Sequence, residues 1–517
     1  TSLSDHLRGC GIAVEDGLAG DVVVVLAPDR LGPDERERVL GLDRPVLLLG
    51  PADDTSLHEA AGLLVAATTP EHEVRLRPGA DAGALADRLE APVLARARVA
   101  LVDKAVDDVE VLLTANVGWH DHPVATWRPS TGVGTLTLDV DLDDPLVHRL
   151  VHRLVRRLAG VQPGPAVRVG MLGYGGIGPE HAAALGRTEG LSLVAVCDRD
   201  AARVEAARAF APDARGLVDG DALLADDEVD LVVVSTPPSS HADWVLRALE
   251  AGKHVVVEKP FCLTVEEADR QVDAAADRGL LLAVYQNRRW DPDHLALRAV
   301  VRSGLIGEVF HHESFVGGYG HPCNYWHSDE AVSGGAVYDW GSHYLDWVLD
   351  LMGHDIAWVS STAHKRVWHD VTNADHTRVL LHYADGREAE FTHSDLAAAM
   401  KPKLYVLGTR GAVVGDWRTA SVVSRSPVGL LDEDRFAPAD APAALRVLVP
   451  DGTGGTSETA LALPPAPQDP FHRELADALL TGAPMSVTAE GSRRGVAVMQ
   501  AAAQSSRDGG LPVVPAL

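Results

Sequence analysis

The sequence predicts an α/β protein built from three consecutive units. Three observations carry this. Up to Gly160, apolar runs of strand length alternate with helical segments. From Ala166 the alternation resumes around a Gly-rich turn and continues to Tyr285. After Tyr285, strand-like segments follow one another without helices between them, which implies an open, mainly antiparallel sheet. The length agrees: at roughly 100–200 residues per domain, 517 residues make three or four domains.

In the first unit, residues 21–27 form a continuous apolar run of the kind a buried parallel strand needs. Residues 45–49, 63–67, 109–113 and 134–140 read as further strands, and His120-Asp121-His122 as a loop. Asp143-Asp144-Pro145 supplies an N-cap and an early Pro. Leu146, Leu150, Leu154 and Leu158 then recur at helical spacing until Gly160. Residues 161–165, Val-Gln-Pro-Gly-Pro, have linker composition and mark the boundary. The expected domains are 1–162, 163–287 and 288–517.

In the second unit, strands are expected at 167–172, 191–197, 231–235, 254–257 and 281–285, with helices between them. That pattern makes a parallel sheet covered on both faces. In the third, residues 309–316, 356–362, 377–383 and 387–393 read as strands. Pro and Gly are dense over 436–470, which predicts a long loop, and 471–480 and 489–505 read as closing helices.

Composition narrows the function. Hydrophobic residues make up 46% and charged residues 23%, as in a globular protein. The balance of 46 basic against 74 acidic residues, −28 in all, disfavours nucleic acid and anionic membranes as partners. No run approaches the ~20 apolar residues of a membrane span, and the opening Thr1-Ser2-Leu3-Ser4-Asp5-His6 has no basic region leading into an apolar stretch. Four dispersed cysteines (Cys10, Cys197, Cys262, Cys323) form no C-x-x-C pair. A reducing, cytoplasmic setting is the expectation. His311, His312, His321 and His327 cluster in sequence, and His148 and His152 have i, i+4 spacing amid arginines, but no metal site is expected.

The strongest motif is Gly173-Tyr174-Gly175-Gly176-Ile177-Gly178, after a strand and before a helix. The first Gly permits the tight turn, the second admits a pyrophosphate, and the third lets helix and strand pack closely. This is the fingerprint of a Rossmann dinucleotide site. Asp198, twenty residues on, is placed for the adenosine ribose hydroxyls and favours NAD. Arg199 beside it is the residue type that accommodates a 2′-phosphate, so NADP stays open.

Two further stretches stand in order behind this turn. One is Ser235-Thr236-Pro237-Pro238-Ser239-Ser240-His241, followed by Glu258-Lys259-Pro260. The other is Ser333-Gly334-Gly335-Ala336-Val337-Tyr338-Asp339-Trp340-Gly341-Ser342-His343. With the Gly-rich turn they resemble the Gfo/Idh/MocA oxidoreductases over about residues 166–517. The resemblance implies a Rossmann domain followed by an α/β domain whose open sheet mediates dimer or tetramer formation. It implies hydride transfer between a secondary alcohol of a sugar, glucoside or cyclitol and nicotinamide. Lys259 would hold the reacting oxygen, His343 would act as general base, and Asp339 would orient substrate or imidazole. Thr236, Pro237, His241, Glu258 and Gln286 would line the cofactor with the Gly-rich turn. Arg288, Tyr325 and Trp326 would meet the substrate.

In the first unit, residues 122–127 and 132–136 with the helix after Leu146 resemble the end of the ThuA family. Those are flavodoxin-like domains related to class I glutamine amidotransferases. Leu138-Asp139-Val140-Asp141 stands where the family often has Gly-His-Asp, and Cys10 is on no strand-to-helix elbow. A degenerate, non-catalytic unit is therefore expected. Two alternatives stay open: a redox-neutral, NAD-assisted glycoside-cleaving enzyme, and an inactive NAD-binding sensor or scaffold.

Overall fold

The structure is a computed structural model. It describes residues 22–26, 33–70, 72–81, 93–117, 120–137, 151, 154–155, 158 and 166–517, apart from 324, 419, 427–428, 436–438, 465, 468 and 483. Cys10, segment 138–141, Leu146, His148, Leu150, His152 and the linker 161–165 lie outside the described residues. The chain divides into two compact units, one of residues 1–167, 185–191 and 473–484, the other of 168–184, 192–472 and 485–517.

The first unit holds β1 (Val23–Leu26), β2 (Val46–Gly50), β3 (Leu63–Thr68), β4 (His72–Pro78), β5 (Val93–Ala97), β6 (Ala100–Ala105), β7 (Glu110–Val117), β8 (His120–Arg128) and β9 (Val133–Thr137). Seven of them form a sheet in the order β1-β2-β9-β8-β7-β4-β5, and β3 pairs with β6. Only β1, β2 and β9 run parallel to one another. The rest of the sheet is antiparallel. Val-Leu-Leu-Leu at the start of β2 is buried, as a strand covered on both faces must be. Leu47, Leu49, Leu112 and Leu136 share a core with Val151, Leu154 and Leu158.

Strand and helix alternate through the helices Pro33–Leu40 and Thr55–Ala61, but the expected alternation stops there: β3 to β9 follow with no described helix between them. His120-Asp121-His122 is no loop. It opens β8, Val117 facing His120 and Ala115 facing His122 across a hairpin. The ladder, with Val102 N–H donating to His122 Nδ1 at 3.1 Å, overrides the polar composition.

The second unit opens on a six-stranded sheet: β10 (Val167–Leu172), β11 (Leu191–Cys197), β12 (Arg215–Leu217), β13 (Leu231–Val234), β14 (His254–Glu258) and β15 (Leu282–Tyr285). The order is β12-β11-β10-β13-β14-β15, with parallel pairing. This is the Rossmann order, whose ligand crevice lies where the winding reverses, here between β10 and β13.

The following sheet contains β16 (Val309–Gly317), β17 (Ile356–His364), β18 (His376–Tyr383), β19 (Glu388–Ser394), β20 (Leu404–Gly408) and β21 (Gly411–Asp416). A separate hairpin, β22 (Ala420–Ser426) with β23 (Gly429–Arg435), precedes β24 (Ala444–Pro450) and β25 (Thr456–Ala460). The eight-stranded order is β17-β18-β19-β16-β20-β21-β24-β25. It is antiparallel except where β16 meets β19. Tyr344, Leu345 and Val348 of the helix Gly341–Met352 share one core with Val379, Phe391 and Val406 of the sheet. Tyr344 stacks on Phe391 at 5.9 Å.

The long loop expected over 436–470 is corrected by β24 and β25. Leu445 and Val447 of β24 alternate into the core, and β25 is an edge strand exposed along its whole length. An edge strand with no buried face carries no apolar pattern to read.

Candidate active site

The site residues collect at the carboxyl ends of the Rossmann strands. Gly173, at the end of β10, has φ +98°, and a Cβ there would stand 2.5 Å from Ser235 O at the end of β13. A side chain is excluded both by the conformation and by the approach of the two strand ends. A Cβ on Gly175 would meet nothing within 4 Å, which leaves open space over the backbone. At Gly178, opening the helix Gly178–Arg187, a Cβ would press on the Tyr174 ring at 2.9 Å. Gly176 and Ile177 complete the exposed turn between them. Asp198 is buried and accepts hydrogen bonds from Tyr174 N at 2.8 Å and Asp200 N at 2.9 Å, while Arg199 beside it is exposed. These features fit a dinucleotide: a strained Gly turn, an open cradle, a helix amino terminus and a carboxylate braced against the turn.

The end of β14 and two helices of the following domain supply the next expected site residues. Glu258 ends β14, and Lys259 follows it. Lys259 Nζ lies 2.8 Å from Asp339 Oδ1 and also donates to Asp339 O at 3.4 Å. Asp339 closes the short helix Ala336–Asp339, and His343 sits in the first turn of Gly341–Met352. Burial alone would raise the Asp339 carboxyl; Lys259, with His327 and His393, outweighs it and holds the carboxyl at about 2. His343 is buried, and burial, then the Lys259 and Arg288 cations, hold its imidazole well below 6.5. Its Nδ1 has no hydrogen-bond partner among the described residues. The arrangement therefore holds three charge states side by side: an ammonium, a carboxylate and a neutral imidazole.

Gln286 follows β15, buried, with Nε2 donating to Ser342 O at 3.3 Å and Oε1 without a partner among the described residues. An unpaired carbonyl oxygen next to the helix Gly341–Met352 suits an amide N–H of a nicotinamide. Thr236 and Pro237 follow β13 half-buried, and Thr236 Oγ1 accepts from Ser240 Oγ at 2.8 Å. Tyr325 and Trp326 are exposed.

Residues 167–286 match the oxidoreductase family with an NAD-binding Rossmann fold, and residues 294–414 match the GFO/IDH/MocA C-terminal domain. An uncharacterized oxidoreductase of Schizosaccharomyces pombe is 37% identical over 199 residues, 37% of this chain and 54% of that protein. The chain thus spans about half the length of that relative. An inositol 2-dehydrogenase of Rhizobium meliloti is 33% identical over 255 residues, 48% of this chain and 76% of that enzyme. The solved structure of an NAD-binding protein from Listeria innocua superposes with a TM-score of 0.57 at 26% identity, covering 68% of this chain and all of that one.

The chain belongs to the Gfo/Idh/MocA oxidoreductase family.

Membership makes residues 167–286 the dinucleotide-binding part, for NAD or NADP. Within this frame two expected site residues are already engaged by protein groups. His241 is fully buried, its ring nitrogens 2.9 Å from Pro260 O and 2.7 Å from Thr236 O. It clamps the two turns together and presents no nitrogen to a ligand. Arg288 is spoken for by carboxylates, donating to Asp291 at 3.1 Å and to Asp440, and its guanidinium lies 5.1 Å from the Trp340 ring. Glu258 is buried as well: Oε2 accepts from Lys259 N at 3.1 Å, and Oε1 lies 2.8 Å from His181 Nε2. His181 Nδ1 in turn lies 3.1 Å from His472 Nε2.

Three residues escaped the sequence reading: His181, His472 and His393. His181 stands three residues beyond the last Gly of the turn, so its spacing was the available signal. His472 comes from 291 residues further on and gave none. His393 comes to light only as an electrostatic neighbour of Asp339. Among the described residues, no group of three His, Cys, Asp or Glu is placed to hold a metal ion, and no helix is long and apolar enough to cross a membrane.

Proposed function

We propose that this protein is an NAD(P)-dependent dehydrogenase that transfers hydride between a secondary alcohol of a sugar, glucoside or cyclitol and nicotinamide. The observation that carries the proposal is the Lys259–Asp339 pair at 2.8 Å beside a buried His343 kept neutral, at the strand ends where a dinucleotide lies. The inositol dehydrogenase among the relatives supports a polyol substrate.

In this reading the nicotinamide, when bound, supplies the hydride acceptor. Lys259 Nζ donates to the substrate hydroxyl oxygen and stabilises negative charge as it develops. The imidazole of His343 takes the hydroxyl proton as the carbon-bound hydrogen leaves with its electron pair, so the alcohol becomes a carbonyl. Asp339 fixes Lys259 by its hydrogen bond and orients the polyol. Gln286 Oε1 receives the carboxamide. Asp198 takes the ribose and makes NAD preferred over NADP. Burial of His343 shields its imidazole from water.

The remaining assignments belong to the same proposal: a ThuA-like, degenerate flavodoxin-related unit over 1–162, a Rossmann domain over 163–287, and a substrate and oligomerisation domain over 288–517. A cytoplasmic dimer or tetramer is the expected form. The parallel β1-β2-β9 core supports the α/β reading of the first unit.

The test is nicotinamide reduction followed by absorbance, with NAD or NADP, against a panel of glucosides, free sugars and inositols. Reduction of NAD by one substrate group is the expected result. Silence across the panel with NAD bound contradicts it.

A further inference from the structure

The turn at Tyr325-Trp326-His327 has no part in the chemistry just proposed, yet His327 lies within electrostatic reach of Lys259 and Asp339. His327 feels both neighbours there: burial and Lys259 lower its imidazole pKa, and Asp339 raises it. From His327 the aromatic surface runs outward. The Trp326 ring packs edge-on against His327 at 3.8 Å, and the Tyr325 ring lies 5.1 Å from His327 at 38°. At its outer end Tyr325 is 59% exposed and Trp326 36%.

Their exposure is built in by the backbone. Asn373 Nδ2 donates to His327 O at 2.7 Å, and the backbone N–H groups of Thr372 and Asn373 both donate to Ser328 O at 3.2 Å. Ser328 itself is buried. The two rings are thus held out in water by an anchored turn. Large apolar surface kept exposed and fixed beside a reaction centre marks a binding surface. The imidazole and the Tyr325 hydroxyl punctuate it with polar groups. Alternating ring faces and hydrogen-bonding groups match a sugar ring, which has an apolar C–H face and hydroxyls at its edge.

We infer that Tyr325, Trp326 and His327 form a second saccharide subsite. It receives the neighbouring ring of a glycoside whose first ring is oxidised at Lys259, Asp339 and His343. The substrate is therefore a two-ring glycoside in preference to a free monosaccharide or cyclitol. This rests on the dehydrogenase reading above and names the substrate class within it.

Two measurements test it separately from that reading. The first uses saturation-transfer NMR on the NAD-loaded full chain with cellobiose, maltose and trehalose. Saturation of protons on both rings of at least one disaccharide is expected, with the second-ring signal at least threefold weaker in Tyr325→Ala/Trp326→Ala. No second-ring saturation in the wild type for any of the three overturns the subsite, whether or not turnover occurs. Saturation of both rings, lost in the variant, without nicotinamide reduction keeps the subsite and overturns the dehydrogenase reading. The second compares kcat/KM for the bound disaccharide and for the methyl glucoside of the same anomer. A preference of about tenfold for the disaccharide is expected to collapse in the double variant. A ratio unchanged within twofold overturns the proposal. So does a shift of the variant from oligomer to monomer with both substrates weakened alike, which makes the surface a contact between copies. Trp326→Phe, which keeps a ring, should recover at least half of the preference.

Discussion

Lys259 stands between opposite demands. Its ammonium pairs with Asp339 at 2.8 Å and helps keep His343 uncharged. A base must be unprotonated to accept a proton, and burial with two nearby cations secures that for His343 below the pH at which a free imidazole loses its charge. The acid limb of kcat/KM for alcohol oxidation is therefore expected below pH 6.5. A pH–rate profile checks this, and a limb at or above 6.5 would mean that another group is the base. Asp339 has the opposite sign. Its folded pKa of about 2 lies under the ordinary 3.8, so the stability it contributes is present above 3.8 and lost as pH falls through about 2. Asp339→Asn should lose that dependence: the difference between denaturation midpoints at pH 7 and pH 3 should shrink relative to the wild type. Its kcat should fall roughly 10²-fold, because Lys259 loses its anchor. These charge states were closed to the sequence, since they depend on burial and on His327 and His393.

The elements that were legible and those that were not differ in a physical way. The strands β10, β13 and β14 carry buried apolar stretches stopped by Gly, Ser-Thr-Pro or Glu-Lys-Pro, and burial on both faces writes that pattern into sequence. By contrast, Thr456–Ala460 is fully exposed, and His120–Arg128 starts with three polar residues. Strands of that kind are made by their partners, and pairing across a sheet leaves no local trace. Gly173 is the readable extreme. With φ +98° and Ser235 O 2.5 Å from a would-be Cβ, Gly173→Ala should weaken NAD binding at least tenfold and lower stability by about 1–3 kcal/mol. Fluorescence titration and urea denaturation measure the two effects, and unchanged NAD affinity would remove the turn from the cofactor site. The Glu258–His181–His472 chain is the unreadable extreme, joining positions far apart in the sequence. His181→Leu leaves the buried Glu258 Oε1 without its partner and should cost about 2 kcal/mol in urea denaturation. A cost under about 0.5 kcal/mol would mean that the chain bears no load.

At the scale of the whole molecule, family order did what single residues do not. Lys259 by itself reads as a solvated lysine and His343 as a packed histidine. Only the succession of Gly-rich turn, Glu-Lys-Pro and Asp-x-x-x-His marks them out, and the fold then brings strand end and helix together. Arg288 and His241 show the limit of that inference. Both stand in the expected stretches, but Asp440, 152 residues away, claims the first, and two carbonyl groups claim the second. In the proposed function Lys259, held by Asp339, carries the hydride-transfer chemistry together with His343. Single-turnover nicotinamide reduction by wild type and Lys259→Ala, with NAD affinity measured alongside, tests it most directly. The rate is expected to fall roughly 10²–10³-fold or more while NAD binds within about threefold of wild type. A variant that reduces NAD within tenfold of the wild-type rate would contradict it.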